Sequence, residues 1–552
     1  MRLILLLGVV AGVAMAAVDE EVGKATRIRR KAPGKDDPVI IVGGGLAGLS
    51  ATIEAVKNGA AQVILIDSEK NLGGNSAKAS SGISATRTRT QEKMGIEDSY
   101  DRFYADTMAS GDRENDEGLV DVLVEESSAA IDFLEEAGVD LSDINLCGGH
   151  SIPRTHWIPS PKEGRPLPVG FGIIKALKEK VEAINKESPD RVKILLGTKV
   201  HGLVSWNEYI TGVSVKGENG TVEEISGKAV ILATGGFSAD KSGSTSLLTE
   251  FAPEKAAFPT TNGAFARGDG VRMARAMGAE VVGMNRAQIH PTAFVDPAKT
   301  DDNTKFLAAE ALRGKGSHPR ESDFFQKYFI QTKYIYYIMQ LELTPGGKRF
   351  GNELGRRDYL TARVLKECAV VPDFQGGSGG RPAALLVMND VAADSFGRPA
   401  FNFYATVKKF FTKYDNAAAL ATALGVDASV LKATLDKYNE QVEKAGKGER
   451  ARDAFDKTVF PVAFKPDEAL YVALVTPAIH YTMGGVKINR NAEVFNEFMG
   501  RSFKGLLAAG EVAGGVHGAN RLAGNSLLEC VVFGRIAGRT AANVANTSHN
   551  EL

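Results

Sequence analysis

Cysteine is scarce. The 552-residue chain has three, Cys147, Cys368 and Cys530, and none stands in a CxxC or CxxCH. That excludes a dithiol redox pair, a zinc ribbon and a c-type haem attachment. Iron–sulfur ligand spacing is lacking too. So is an excess of charge of one sign: 66 Lys and Arg face 67 Asp and Glu, a formal net charge of −1. No basic field of the kind nucleic-acid binding needs is present. Internal repeats are missing. The apolar run in MRLILLLGVVAGVAMAA, residues 1–17, is too short to span a membrane. One arginine precedes it and a small-x-small ending, Ala14-Met15-Ala16, follows, which is the pattern of a secretory signal peptide.

Glycine is abundant, at 60 residues, which suits many tight turns and close approaches of backbone to a ligand. The length allows two or more domains and a large core. The chain ends in HNEL, His549 to Leu552, one residue away from the receptor-read signal HDEL. With the signal peptide this predicts the lumen of the endoplasmic reticulum. Mitochondria are the alternative, although a presequence for them would be arginine-rich and amphipathic. Asn219-Gly-Thr and Asn546-Thr-Ser are compatible glycosylation sites.

Residues 18–36, with RIRRK at 27–31, read as a flexible lead-in. At Pro38 the texture changes. PVIIVGGG is an apolar run ending in glycines, as a buried parallel strand does. Leu46, Leu49, Ile53 and Val56 then recur at helical spacing, and QVILIDSEK is a second buried strand. This is a βαβ unit. Glu117 to Gly138 and FGIIKALKEKVEAI are helical. Val192 to Gly235 reads as a β-meander feeding the strand KAVILATGG. The last 70 or so residues return to a glycine-rich, strand-then-helix texture.

Gly43-Gly44-Gly45-Leu46-Ala47-Gly48 is a GxGxxG. Alone it matches many plain turns. Here it follows a strand, opens a helix, and Asp67 ends the next strand. Glycines let backbone N–H groups approach a pyrophosphate at the helix N-terminus, and the carboxylate can bind the adenosine ribose. A second small-residue loop, LGGNSAKASSG, spans Leu72 to Gly82.

These stretches, with ATGGF (233–237), QIHPT (288–292), AAEALRGKG, NELGRRD (352–358), HYTMGGV and GEVAGGVHGANRLAGNSL, resemble the FAD-dependent fumarate reductases. That family is shared by soluble fumarate reductases, flavocytochrome c and the flavoprotein subunits of complex II. The resemblance covers residues 38–545 in order, with one interruption. It implies an α/β fold: a Rossmann-like FAD-binding domain in two chain segments, 38–285 and 480–552, with an inserted α+β capping domain at 286–479. It implies FAD as cofactor, with Gly43, Gly45, Leu46, Ala47, Gly48, Asp67, Ser68, Gly74, Asn75, Ser76, Ser81, Gly82, Ala233, Thr234, Gly235, Asn525, Ser526, Leu527 and Leu528 as contacts. Glu511 is expected on the ribityl chain. Complex II flavoproteins attach FAD through a histidine in the stretch matching Asn75 to Gly82. No histidine occurs there and Ala77 stands at the matching place, so the flavin is expected to be non-covalent.

The same resemblance makes His290, Thr292, His480 and Arg521 fumarate ligands. Imidazoles can donate to carboxylates, and a planar guanidinium suits bidentate capture. Arg357 matches the catalytic acid. Glu310 and Arg313, three apart on one helix face, match a relay that refills its proton. Arg356 matches no role and is expected in solvent. Ala309 replaces a threonine that many bacterial members carry. The implied reaction is fumarate to succinate or its reverse. Alternatives are an aspartate oxidase, a reductase of another α,β-unsaturated acid, or an inactive flavin-binding protein. The electron donor, free reduced flavin or a redox protein, leaves no trace in the sequence.

The interruption lies between Arg313 and Arg357, which are 44 apart where members of the family place about 20 residues. The excess sits in SHPRESDFFQKYFIQTKYIYYIMQ, Ser317 to Gln340, with seven aromatic residues. Lengthening a flexible loop threefold costs only about 1 kcal/mol in closure entropy. Yet KYIYYIM has high β-propensity and is an aggregation hazard if exposed. A lid or docking segment, a packed addition to the capping domain, and translated non-coding sequence are the three readings.

Overall fold

The computed structural model describes residues 33–80, 82–159, 167–216, 221–307 and 341–544. Strand β1 (Val39–Val42) is followed by helix α1 (Leu46–Lys57) and strand β2 (Val63–Ile66). Every residue of both strands is buried, because helices cover the two faces of a parallel sheet. Helix α2 (Val169–Glu187) leads into β3 (Val192–Leu195), which pairs in parallel with β2 at Val63↔Val192. The sequence reading put this stretch in the meander; the structure moves it to the far edge of the parallel sheet. The meander proper is Val200–Trp206, Tyr209–Lys216 and Val222–Ser226, and it runs into β4 (Ala229–Leu232). The helical stretch after Glu117 breaks at Glu126 into Glu117–Glu125 and Ser127–Glu136.

A second, antiparallel sheet follows. Its strands include β5 (Ala287–Phe294), β6 (Leu341–Leu343), β7 (Ala384–Met388) and β8 (Leu470–Thr482), and helix α3 (Arg357–Glu367) lies between β6 and β7 in sequence. β8 is central: β5 and β7 flank it, and Thr412–Tyr414 also pairs with it. It is continuous across the expected border at residue 479. The chain then returns to the first sheet as β9 (Arg501–Ala508), parallel to β4 at Ile231↔Leu507, and ends in helix α4 (Asn525–Asn543). Among the described residues the first sheet has nine strands, with the parallel run β3-β2-β1-β4-β9 starting from the β3 edge. Each sheet has its own hydrophobic core.

α4 lies tightly against α1. Gly534 and Gly538 make this possible, since a Cβ at either would run into the carbonyl oxygens of Ala47 or Ala51. The first turns of both helices, Leu46 and Ala47 of α1 and Ser526 and Leu527 of α4, line one cavity. Among the described residues no helix is long and apolar enough to cross a membrane. The signal-peptide stretch, most of the lead-in, Ser81, Asn219, Glu310, Arg313, the segment 317–340, Asn546 and HNEL lie outside the described residues.

Candidate active site

A cavity of about 470 Å³ opens between these two helix starts and the second sheet, a size typical of cofactor and ligand sites. The first wall is the turn from β1 to α1. Gly43 has φ +108°, a value that a side chain would strain. A Cβ on Gly48 would run into the Gly43 carbonyl oxygen, so the turn closes only with glycine there. α1 starts at Gly45 with no side-chain cap and no acidic residue in its first turn. Leu46 N lies 3.5 Å from Ser76 Oγ, and the positive dipole end suits a pyrophosphate. Asp67 Oδ2 accepts from Gly44 N at 2.7 Å and Oδ1 from Glu69 N at 2.8 Å, so the carboxylate also shapes the loop.

Of the expected cofactor contacts, Gly43, Gly45, Leu46, Ala47, Asp67, Ser68, Gly74, Asn75, Ser76, Gly82, Ala233, Thr234, Gly235, Glu511, Ser526 and Leu527 line the cavity. Three do not. Gly48 is packing room for Gly43, Leu528 is fully buried in the core, and Asn525 is fully buried with Nδ2 donating to Thr107 Oγ1 at 3.2 Å. Ala77 also lines the wall. The cradle therefore fits FAD. α4 begins after Gly524 with no side-chain cap and no first-turn acid, a second positive helix end on the same cavity. Glu511 Oε1 accepts from Thr482 N at 2.9 Å and Thr482 Oγ1 at 3.0 Å. Burial pushes its carboxyl up to about 7; the Thr482 bonds pull the other way, and the Glu529 charge adds to the rise.

Beside this end of the cavity runs the β5–β8 pair: His480 and Tyr481 of β8 and Arg521 line the cavity, whereas Gln288, His290, Thr292 and Arg357 stand behind that lining. Gln288 stands opposite Tyr481 and His290 opposite Ala478. His290 and His480 meet edge to face with ring centres 5.6 Å apart. His480 Nδ1 bonds Thr261 Oγ1 at 2.7 Å. Thr292, expected on substrate, has its hydroxyl and N–H each 3.3 Å from His290 Nδ1, so it steadies the imidazole. Arg357 Nη1 donates to Gln288 Oε1, and Arg521 Nη2 reaches the same oxygen at 3.5 Å. The Gln288 amide nitrogen donates to Asn520 Oδ1 at 2.6 Å and Arg521 O at 3.1 Å. Gln288 is thus the bracket between two arginines from distant parts of the chain. It stood in QIHPT without a role. The available signal was its place two residues before His290, hence on the same strand face.

NELGRRD separates into three jobs. Glu353 is 1% exposed and pairs with Arg349 at 2.8 Å and Lys457 at 2.9 Å. It holds the turn. Arg356 is half exposed, with Asp112 at 3.3 Å and Asp358 at 3.1 Å. Arg357 begins α3 and turns to Gln288.

The model of an FAD-binding domain matches residues 38–527. Fumarate reductase 1 of Saccharomyces cerevisiae is 36% identical over 512 residues, covering 92% of this chain and 98% of the yeast protein. The fumarate reductase of Schizosaccharomyces pombe is 35% identical over 510 residues, 91% of this chain and 89% of that one. Among solved structures, the open conformation of a flavocytochrome c3 fumarate reductase aligns over 96% of this chain and 81% of its own, at 30% identity and a TM-score of 0.71. Likeness of this extent, in sequence and in fold, makes the chain a member of the FAD-dependent fumarate reductase and succinate dehydrogenase flavoprotein family.

Proposed function

We propose that the chain reduces fumarate to succinate with non-covalently held FAD. The observation that carries this reading is the Gln288 bracket, which holds Arg357 and Arg521 together, beside the His290–His480 pair. A dicarboxylate needs donors at both ends, and this cluster has them. Bound FAD supplies the hydride equivalent. Arg521 and the two imidazoles hold the carboxylates and draw electron density from the alkene. Arg357 gives the proton to the other alkene carbon. One hydride and one proton then balance fumarate against succinate. An arginine seldom releases a proton; Glu310 and Arg313 are assigned to refill it as it leaves. The same groups serve succinate oxidation in reverse. Residues 286–479 are assigned as the capping domain that excludes water over the alkene.

Variants test the assignment. Arg357→Ala is expected to abolish turnover with FAD content intact, and Arg357→Lys to keep a trace, since lysine retains a proton but not the planar fork. His480→Ala and Arg521→Met should raise KM for fumarate and lower kcat, because a misplaced alkene harms transfer. Near-normal turnover in Arg357→Ala, or unchanged kinetics in both clamp variants, removes the reading.

A further inference from the structure

One buried polar group near the substrate end has no place in this scheme. Glu529 sits in the second turn of α4 and is 1% exposed. Its Oε2 accepts from the Tyr481 hydroxyl and lies 2.9 Å from His517 Nε2. The Tyr481 and His517 rings meet edge to face at 5.5 Å. Glu529 Oε1 and His517 Nδ1 are buried without a hydrogen-bond partner among the described residues. Buried polar clusters of this kind cost desolvation and are weak devices for stability; what they supply is fixed geometry. The geometry at stake is visible on the other side of the phenol. The Arg521 guanidinium lies over the Tyr481 ring, 5.0 Å from its centre.

A cation–π contact occupies the face of a guanidinium and leaves its in-plane N–H groups for a carboxylate. A carboxylate partner in the same position would compete with substrate instead. The Tyr481 ring supports the Arg521 fork from one side, while Leu522 O accepts from Nη1 at 3.1 Å and Gln288 Oε1 lies 3.5 Å from Nη2. Donation of the phenol proton to Glu529 pins that ring and enriches its face. His517 pins Glu529. We infer that Glu529 and His517 are positioning residues for Arg521, acting through Tyr481. The inference rests on the reading of Arg521 as a substrate ligand.

The test is a mutant cycle on the FAD-loaded enzyme, with steady-state kinetics, FAD content and melting temperature read for each variant. Glu529→Gln, His517→Gln and Tyr481→Phe are each expected to raise KM for fumarate about tenfold with a smaller change in kcat and full FAD content. Tyr481→Phe with Glu529→Gln should be no worse than either alone, because both break one contact. On an Arg521→Met background, Glu529→Gln should change KM less than about twofold. If Arg521→Met leaves KM unchanged, the clamp reading falls and this inference with it. If Arg521→Met raises KM and Glu529→Gln does not, only the positioning role is overturned. Additive losses in the Tyr481–Glu529 pair overturn the route through the phenol. Should Glu529→Gln fail to fold, Tyr481→Phe decides: it removes one oxygen and keeps the ring, and a normal KM in it overturns the inference.

Discussion

Glu511 is charged above neutral pH at a cost to the fold. Its carboxyl is pushed up to about 7, first by burial, whereas in the unfolded chain it titrates near the usual carboxylate value, about 4.3. Below that value it is protonated in both states and contributes nothing. Between there and 7 the unfolded chain loses its proton first, so stability falls as pH rises. Above 7 the penalty is complete, on the order of 4 kcal/mol. Glu511→Gln keeps the oxygen that accepts from Thr482 and removes the charge. The flavin-free variant is expected to melt above wild type at pH 8, with the gap closing toward pH 4.5. A gap constant across pH would contradict the burial argument. At this scale the motifs bring His290, His480 and Arg521 into one region: the two imidazoles meet edge to face and Arg521 reaches Gln288, two residues before His290. The sequence was silent on Gln288 and Glu529. An amide and a carboxylate in an apolar helix carry no local sign of their partners, which come from other parts of the chain.

The turn between β1 and α1 is the element on which the cofactor end depends. Its closure needs Gly48 because a Cβ there would meet Gly43 O. Overpacking of this kind costs ~1–3 kcal/mol. Here it would displace the backbone of the helix start that suits a pyrophosphate. Gly48→Ala is expected to purify with at most about a tenth of the wild-type FAD, measured by flavin absorbance against protein. A full flavin complement would show that the turn tolerates opening. The β1–α1–β2 unit was legible because its period changes sharply from a continuous apolar run to helical spacing and back. β3 was not. VKIL looks alike in a meander or at a parallel edge, and only the preceding helix α2 crossing over from β2 decides. NELGRRD likewise needs its tertiary partner Lys457 before Glu353 reads as the residue that holds the turn.

On the scale of the whole molecule, the two-segment plan follows from motif order: β1 and β9 reach one sheet from opposite ends of the chain. The segment 317–340 and both termini lie outside the described residues. We propose that this segment is translated non-coding sequence and that the protein is lumenal. Peptide mass spectrometry of the native protein is expected to find a first residue near Ala17 and no peptide from Ser317 to Gln340. Peptides across that segment would sink the first idea, and an intact residue 1–17 stretch the second. The central claim is that this enzyme acts on a dicarboxylate alkene. It is tested most directly by reducing the bound flavin without oxygen, adding one acid at a time, and following the oxidised absorbance. Fumarate is expected to restore it, while acrylate and urocanate, alkenes with one carboxylate, are expected to leave it low. A flavin that stays reduced with fumarate, or responds as fast to one of the others, would contradict the account.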